Sequence, residues 1–568
     1  MGEFRVPVSS CRLICAAVAL LGVGAPLLAQ PAPAGKGFAN VDEATKLIND
    51  SLSAAWKENK LQPADRCSDY EFIRRASLDL IGRIATVAEI ERYLKDPAAT
   101  RRGLLLQRLI YGDHKKEFTA HWTNLWTIWL INRAGEDRER FRKDLRPWLE
   151  RHLSADTQSY KTFVEQLLTA QGKSDGAGAV NFLLAHLGPE MARANRADQG
   201  QFDGAAITSR SIRLFLGYQI QCTQCHDHPF NADWKQKHFW GVNVFFRQVQ
   251  CDGLTLPIVV TPQELRDNAS YNKKGVVFYE KRNGVFLPTD AVFVDGRKPP
   301  SDGKLGRREE LARLITSHKN LNRAIVNRMW GHFFGRGLNV KAAFDDFGEH
   351  NEVVHDELLT KLGEQFAGSG GHDLRKLMLW ICSSDAYNLQ PNANKTNAGL
   401  EAEPYFSRMP VKMMSPEQLL ESVITATRPV EDFKDNPLIA FLYKALRDDW
   451  MKMLVRNFGD DEGNEVTYNG TILQALLMMN SGQLNAAIGF GSGAVKEAEK
   501  IGATDKTGKK TADYLFLATL NRPATNAEFT QLVRRLPLAG GKIKSDSTSA
   551  MQDLFWALLN CNEFILNH

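Results

Sequence analysis

Between Phe118 and Trp129, five large apolar residues recur at fixed intervals: Phe118, Trp122, Leu125, Trp126 and Trp129. Positions i, i+4, i+7, i+8 and i+11 share one face of an α-helix, whereas a strand would divide them between two faces. Three indoles on one stripe are more apolar surface than water tolerates. The stripe therefore predicts a helix sunk in a core rather than a cofactor box.

The same period governs most of the chain, and its boundaries are written in local chemistry. Val41 to Leu61 opens with helical spacing, and CSDYEFIRRASLDLIGRIATVAEIERYLKDP reads as two helices broken at Gly82. Ser68 or Asp69 caps the first, and Thr86 with Glu89 forms a capping box for the second. Arg74 and Arg75 beside Asp79 are either a buried ion-pair network or a solvated face. SYKTFVEQLLTAQG is a further helix with Gly172 as its C-cap. Ser415, Pro416 and Gln418 mark another helix start. Residues 255–295 change character: VVFYEKRNGVFLP places Asn283-Gly284 between two apolar runs, a hairpin signal, and AVFVDG is a candidate third strand.

The expected fold class is mainly α, two helical modules with a small β-hairpin insertion between them. The boundaries are residues 1–34 (signal peptide and mature tail), 41–250, 251–300 and 301–568. A composition of 43% hydrophobic and 24% charged residues fits ordinary globular modules. The net charge of +5 arises from 71 basic and 66 acidic residues without a long basic run, which argues against a nucleic-acid surface.

Arg5 and Arg12 precede an apolar run, residues 13–29, followed by small residues with cleavage expected after Ala29 or Ala34. This predicts export, to the periplasm or the extracellular space, with no stable membrane span after cleavage. Cys11 and Cys15 leave with the signal, so six of the eight cysteines remain. That is too few for a disulfide scaffold. Cys382 and Cys561 sit in apolar helical contexts and are expected to be buried thiols.

Cys222-Thr223-Gln224-Cys225-His226 is a C-x-x-C-H sequence, the pattern that attaches c-type haem. The chain's cysteine and histidine frequencies give roughly 0.003 chance occurrences, so coincidence is a poor explanation. In the haem reading Cys222 and Cys225 form thioethers and His226 ligates the iron, with Met191, His186, His228 or His238 as sixth ligand. In a second reading Cys222, Cys225, His228 and His238 bind zinc or iron, with Asp227 as a supporting acceptor. In the third the cysteines are a disulfide or free pair with a structural role.

Downstream, Asp345 and Asp346 with His332, His350 and His355 are candidates for a carboxylate–histidine catalytic site. Equally, the aspartates cap a turn or pair with Arg328 or Arg336. Asn322, Arg323, Asn327 and Arg328 beside Trp330 form a polar pocket or a buried hydrogen-bond network.

Several long motifs carry a family resemblance: EFIRRASLDLIGR (71–83), IQCTQCHDHPFNADWKQKHFWGVNVFF (220–246), NRAIVNRMWGHFFGRGL (322–338), FDDFG (344–348), MSPEQLLESV (414–423), ILQALLMMNSGQ (472–483) and DLFWALLNCNEF (553–564). The chain resembles the planctomycete-type cytochrome-associated proteins built from domain of unknown function 1549 followed by domain of unknown function 1553. It departs from their pattern at Ala85 and before the paired aspartates, where prolines are common. The family carries no settled reaction; the C-x-x-C-H motif points to an electron-transfer or redox role with a redox partner protein, and the resemblance implies a setting shared with cytochrome-like and polysaccharide-degradation proteins. The rival classes are a metal-dependent hydrolase and a non-catalytic surface or scaffold protein.

Overall fold

The computed structural model describes residues 42–568 except 134–137, 156–158, 232–233, 253–261, 301–303, 342, 428–449, 454–483, 485–487, 489–492, 506 and 534–546. The leader (1–34) and the motif ILQALLMMNSGQ (472–483) lie outside the described residues. The fold is mainly α, with small antiparallel sheets of two or three strands.

Local signals set the first helices. Ser68 caps the helix Asp69–Ile81 in a full capping box with Glu71, and Thr86 does the same with Glu89 for Val87–Lys95. Between them the chain reverses at Gly82, whose φ of +74° is left-handed. A Cβ there would also lie 2.3 Å from His121 Nδ1, so both backbone and packing demand glycine. The tryptophan stripe becomes the helix Lys115–Ile131. Trp122, Trp126 and Trp129 are fully buried, while Leu125 is only half-buried. Trp126 and Trp129 meet edge-to-face at 5.1 Å, a favoured aromatic geometry.

Two cores organise the described residues, and they do not follow chain order. The larger gathers Ile48, Trp122, Phe215, Phe245, Trp330, Phe366 and Phe406, side chains from both halves of the chain. The smaller joins residues from Met414 to Phe564 with Leu78, Ile84 and Val87. The helix Asp69–Ile81 lies between the cores and serves both.

That position explains its buried charges. Arg74 and Arg75 are 1% and 0% exposed, yet they pair with carbonyl oxygens rather than with Asp79. Arg74 donates to Thr519 (3.1 Å) and Phe564 (2.7 Å). Arg75 donates to Tyr387, Leu389 and His568. A guanidinium with five donors can bind several such carbonyls at once, which an ion pair would not.

The hairpin forms at Val276–Glu280 and Phe286–Asp290, with Phe278 opposite Pro288. Lys281 N–H donates to Val285 O and Gly284 N–H to Lys281 O, with Gly284 at φ +80°. The turn is thus a three-residue loop ending in a left-handed glycine. AVFVDG does not add a strand: Gly296 N–H donates to Phe293 O, closing a turn over buried Phe293. Gly172 is not a helix C-cap either. The helix ends at Thr169, and Gly172–Lys173 pairs with Glu264–Asp267, which also pairs with Val249–Asp252. Cys382 is buried as expected; Cys561 is only half-buried. No helix among the described residues is long and apolar enough to cross a membrane.

Candidate functional site

The helix Ala205–Leu216 delivers the cysteines, ending at left-handed Gly217. A short 3-10 turn, Gln221–Gln224, follows, held by Thr223 Oγ1 donating to Ile220 O at 2.6 Å. Cys222 is half-buried, Cys225 is exposed, and both are free thiols. The helix Gln236–Asn243 backs the turn. Trp240 Nε1 donates to Gln224 O (3.0 Å), and Gln236 Nε2 donates to Gln224 O (3.2 Å) and to the hairpin's Glu280 O (2.7 Å). Burial raises the Cys222 thiol pKa, and the charge of Asp346 pushes it in the same direction.

The histidines divide by which nitrogen is already used. His226 Nδ1 lies 2.6 Å from Asp227 O. A carbonyl only accepts, so Nδ1 carries the proton and Nε2 keeps a lone pair. His228 Nδ1 accepts from Phe230 N–H (3.2 Å), so its proton sits on Nε2. His238 Nδ1 accepts from Lys235 N–H within the first turn of its own helix. His186 is buried with Nε2 on Leu130 O at 2.7 Å, and burial pushes its pKa down to about 3. Met191 is half-buried, with its backbone N–H on Gln201 O. Among the described residues no three His, Cys, Asp or Glu side chains converge as a metal-holding group, so Cys222, Cys225, His228 and His238 are not gathered around one point.

A loop from the second half of the chain closes over this turn. Phe347 N–H donates to Gly217 O at 2.7 Å. Asp345 is buried between Arg213 (2.9 Å) and Arg328 (3.3 Å) and accepts from Gln219 (3.4 Å), which is the pairing role expected with Arg328. Asp346 Oδ2 holds His350 Nε2 at 2.9 Å. The His350 ring packs 5.4 Å from His228 and 5.9 Å from Phe230. Asp346 Oδ1 and His350 Nδ1 are buried without a hydrogen-bond partner among the described residues.

Comparison with protein families places both sides of this contact. A model for a protein of unknown function, DUF1549 (PSCyt2), matches residues 47–251, and one for a protein of unknown function, DUF1553 (PSD1), matches residues 307–536. The chain belongs to the proteins in which DUF1549 precedes DUF1553. No curated protein and no solved structure matches it. The cysteine turn is thus a DUF1549 element and the Asp345–His350 loop a DUF1553 element.

His332 belongs elsewhere in the DUF1553 domain. Its ring packs 4.9 Å from Trp122, and Nε2 lies 3.0 Å from Asp79 O, so it shares no contact with Asp345 or Asp346. The Asp79 side chain is 1% exposed and accepts from Lys412 (2.9 Å), Asn567 (2.7 Å) and Tyr387 (2.8 Å). Lys412 spends its other protons on His332 O and Phe333 O. Burial pushes the pKa of His332 and of neighbouring His121 down to about 3. A cavity of about 40 Å³ lies against this junction, and Trp129 Nε1 and Asn567 Oδ1 on its wall have no partner among the described residues. That is room for ordered water.

His355 caps the helix Asp356–Ala367 and faces Pro404 O at 2.9 Å. Arg336 pairs with Glu403 rather than with the aspartates. Asn327 bridges Asn339 and Phe344 O, the buried network rather than a pocket. Two features escaped the sequence reading, the Asp79–Lys412 junction and the approach of His350 to His228. The i,i+4 spacing of Asp346 and His350 was the one local signal for the second.

Proposed function

We propose that this DUF1549–DUF1553 protein is exported, carries one c-type haem on Cys222, Cys225 and His226, and exchanges single electrons with a redox partner in catabolism outside the cytoplasm. One observation carries the reading. Two free thiols three residues apart share a surface turn, beside a histidine whose Nδ1–H is already held by a backbone carbonyl.

Each feature of that set suits covalent haem. Cys222 and Cys225 would hold the haem through thioether bonds from their free thiols to its two vinyl groups. The Asp227 carbonyl orients His226 and leaves Nε2 free to bind iron. When bound, the haem supplies a one-electron couple whose potential is set by its ligands and its burial. Phe230 is 68% exposed beside the turn and gives the attachment an apolar flank.

The test is production of the full-length chain in a bacterial host with the c-type cytochrome maturation machinery. The periplasmic fraction should hold a protein with a Soret band, and haem staining should survive a denaturing gel. A colourless product whose Cys222 and Cys225 still react with thiol reagents would sink the proposal.

A further inference from the structure

We propose that the tip of the hairpin Val276–Glu280 and Phe286–Asp290 docks the protein peripherally on an anionic lipid surface. Val285 and Phe286 enter the acyl boundary, and Lys281 and Arg282 meet the lipid phosphates. The inference is independent of what the cysteine turn carries.

The hairpin has two unlike faces. Val277 and Tyr279 are buried against the helix Gln236–Asn243, while Phe278 and Glu280 alternate with them and point outward, opposite Pro288 and Phe286. Phe278, Val285 and Phe286 are 65%, 48% and 63% exposed. Every residue from Glu280 to Phe286 is exposed, and a Cβ on Gly284 would meet nothing within 4 Å, so the tip stands clear of the body. Single exposed apolar residues are ordinary, but three large ones on one projecting loop need a reason.

Charge selects the occupant. Residues 273–286 contain Lys273, Lys274, Lys281 and Arg282 against a single acid, Glu280. None of these four cations is in an ion pair among the described residues, whereas the acids just beyond are taken: Asp290 by Lys298 (3.8 Å) and Asp295 by Arg297 (2.6 Å). Apolar side chains flanked by free cations are what an anionic bilayer binds, the rings in the interface and the cations on phosphate.

Shape agrees. A stable protein interface buries roughly 800 Å² on each side with matching contours, which a narrow projecting tip does not offer, whereas a fluid bilayer closes around whatever enters it. A second copy docked tip to tip would oppose like charges. Strand addition is blocked as well. Pro288 removes a donor from one edge, and on the other Val276 O and Glu280 O already accept from Asn272 and Gln236. Gln236 Nε2 also donates to Gln224 O, so tip and cysteine turn share one support, and docking holds that turn near the lipid surface.

The experiment sediments the exported chain, freed of its leader, with sucrose-loaded vesicles of phosphatidylcholine alone or mixed equally with phosphatidylglycerol. The chain should pellet with the mixed vesicles and not with pure phosphatidylcholine, and added salt should release it. Lys281→Gln with Arg282→Gln should weaken partition about 30-fold, each cation near the surface being worth about fivefold. Val285→Ser with Phe286→Ser should weaken it roughly tenfold or more. Lys57→Gln with Lys95→Gln, exposed cations of other elements, should leave partition unchanged. All of these side chains are exposed, so circular dichroism and urea midpoints should match wild type in every variant. Failure to pellet with the anionic vesicles, equal binding to both compositions, or binding that survives both tip variants would overturn the proposal. So would a concentration-dependent dimer that Val285→Ser with Phe286→Ser abolishes, which would assign the tip to a second copy.

Discussion

Two carboxylate–histidine clusters in this protein differ in what their carboxylates hold. Around Asp79 both carboxylate oxygens accept bonds and Lys412 uses all three protons, while His332 is held neutral against a backbone carbonyl. Around Asp346, Asp346 Oδ1 and His350 Nδ1 have no hydrogen-bond partner among the described residues. The Asp79 carboxylate is a fastening, even though Asn567 Oδ1 beside it has no partner among the described residues; the Asp346–His350 pair leaves one atom of each of its own two side chains unbonded.

The sharpest test of that contrast is on the reactive side. The double substitution Cys222→Ala, Cys225→Ala should remove covalent haem entirely, read by haem staining, while the circular dichroism of the fold persists. On the saturated side, Asp79→Ala strands the Lys412 charge in the interior and should lower stability by about 3–5 kcal/mol. Urea midpoints check it, and an unchanged midpoint would deny the junction its role.

Acid should attack the junction through its histidines. The folded-state pKa of His332, about 3, lies below the ordinary value of 6.5, so the folded protein refuses a proton that the unfolded chain accepts. Stability from this group is complete above pH 6.5 and is lost as pH falls toward 3. Between pH 7 and pH 5 the loss is about 2 kcal/mol for this one histidine. His332→Asn should show a correspondingly shallower fall in urea midpoint over the same range. The smallest effect belongs to the unsaturated cluster: Asp346→Asn should change stability by about 1 kcal/mol. A loss as large as that of Asp79→Ala would erase the distinction.

What the sequence disclosed was local. Thr86 with Glu89 and Ser415 with Gln418 act within one helical turn, so their spacing is enough; for the first helix the sequence left Ser68 and Asp69 open, and the structure chose Ser68. The Trp122–Trp126–Trp129 stripe needs only the helical period, and the strand pair around Gly284 needs only its turn. The misreadings share a cause. Gly172 has helix-ending chemistry, but its fate was decided by a strand at Glu264–Asp267, and Arg74 looked for an acid where distant carbonyls were the answer. Half of the candidate site was legible as Cys-x-x-Cys-His. Asp346 and His350 were legible as candidates, but their approach to the cysteine turn joins residues of two domains, which no spacing rule reaches.

The two arginines of the helix Asp69–Ile81 also set a timetable. Arg74 reaches carbonyls 445 and 490 residues further along, and Arg75 one that is 493 residues away. Without those carbonyls each guanidinium loses buried partners, which is costly, so the packing around the helix Asp69–Ile81 depends on residues from Thr519 onward. Contacts of such separation close slowly. A fragment ending before Thr519 should accordingly expose apolar surface and bind a hydrophobic dye, whereas the whole protein should not.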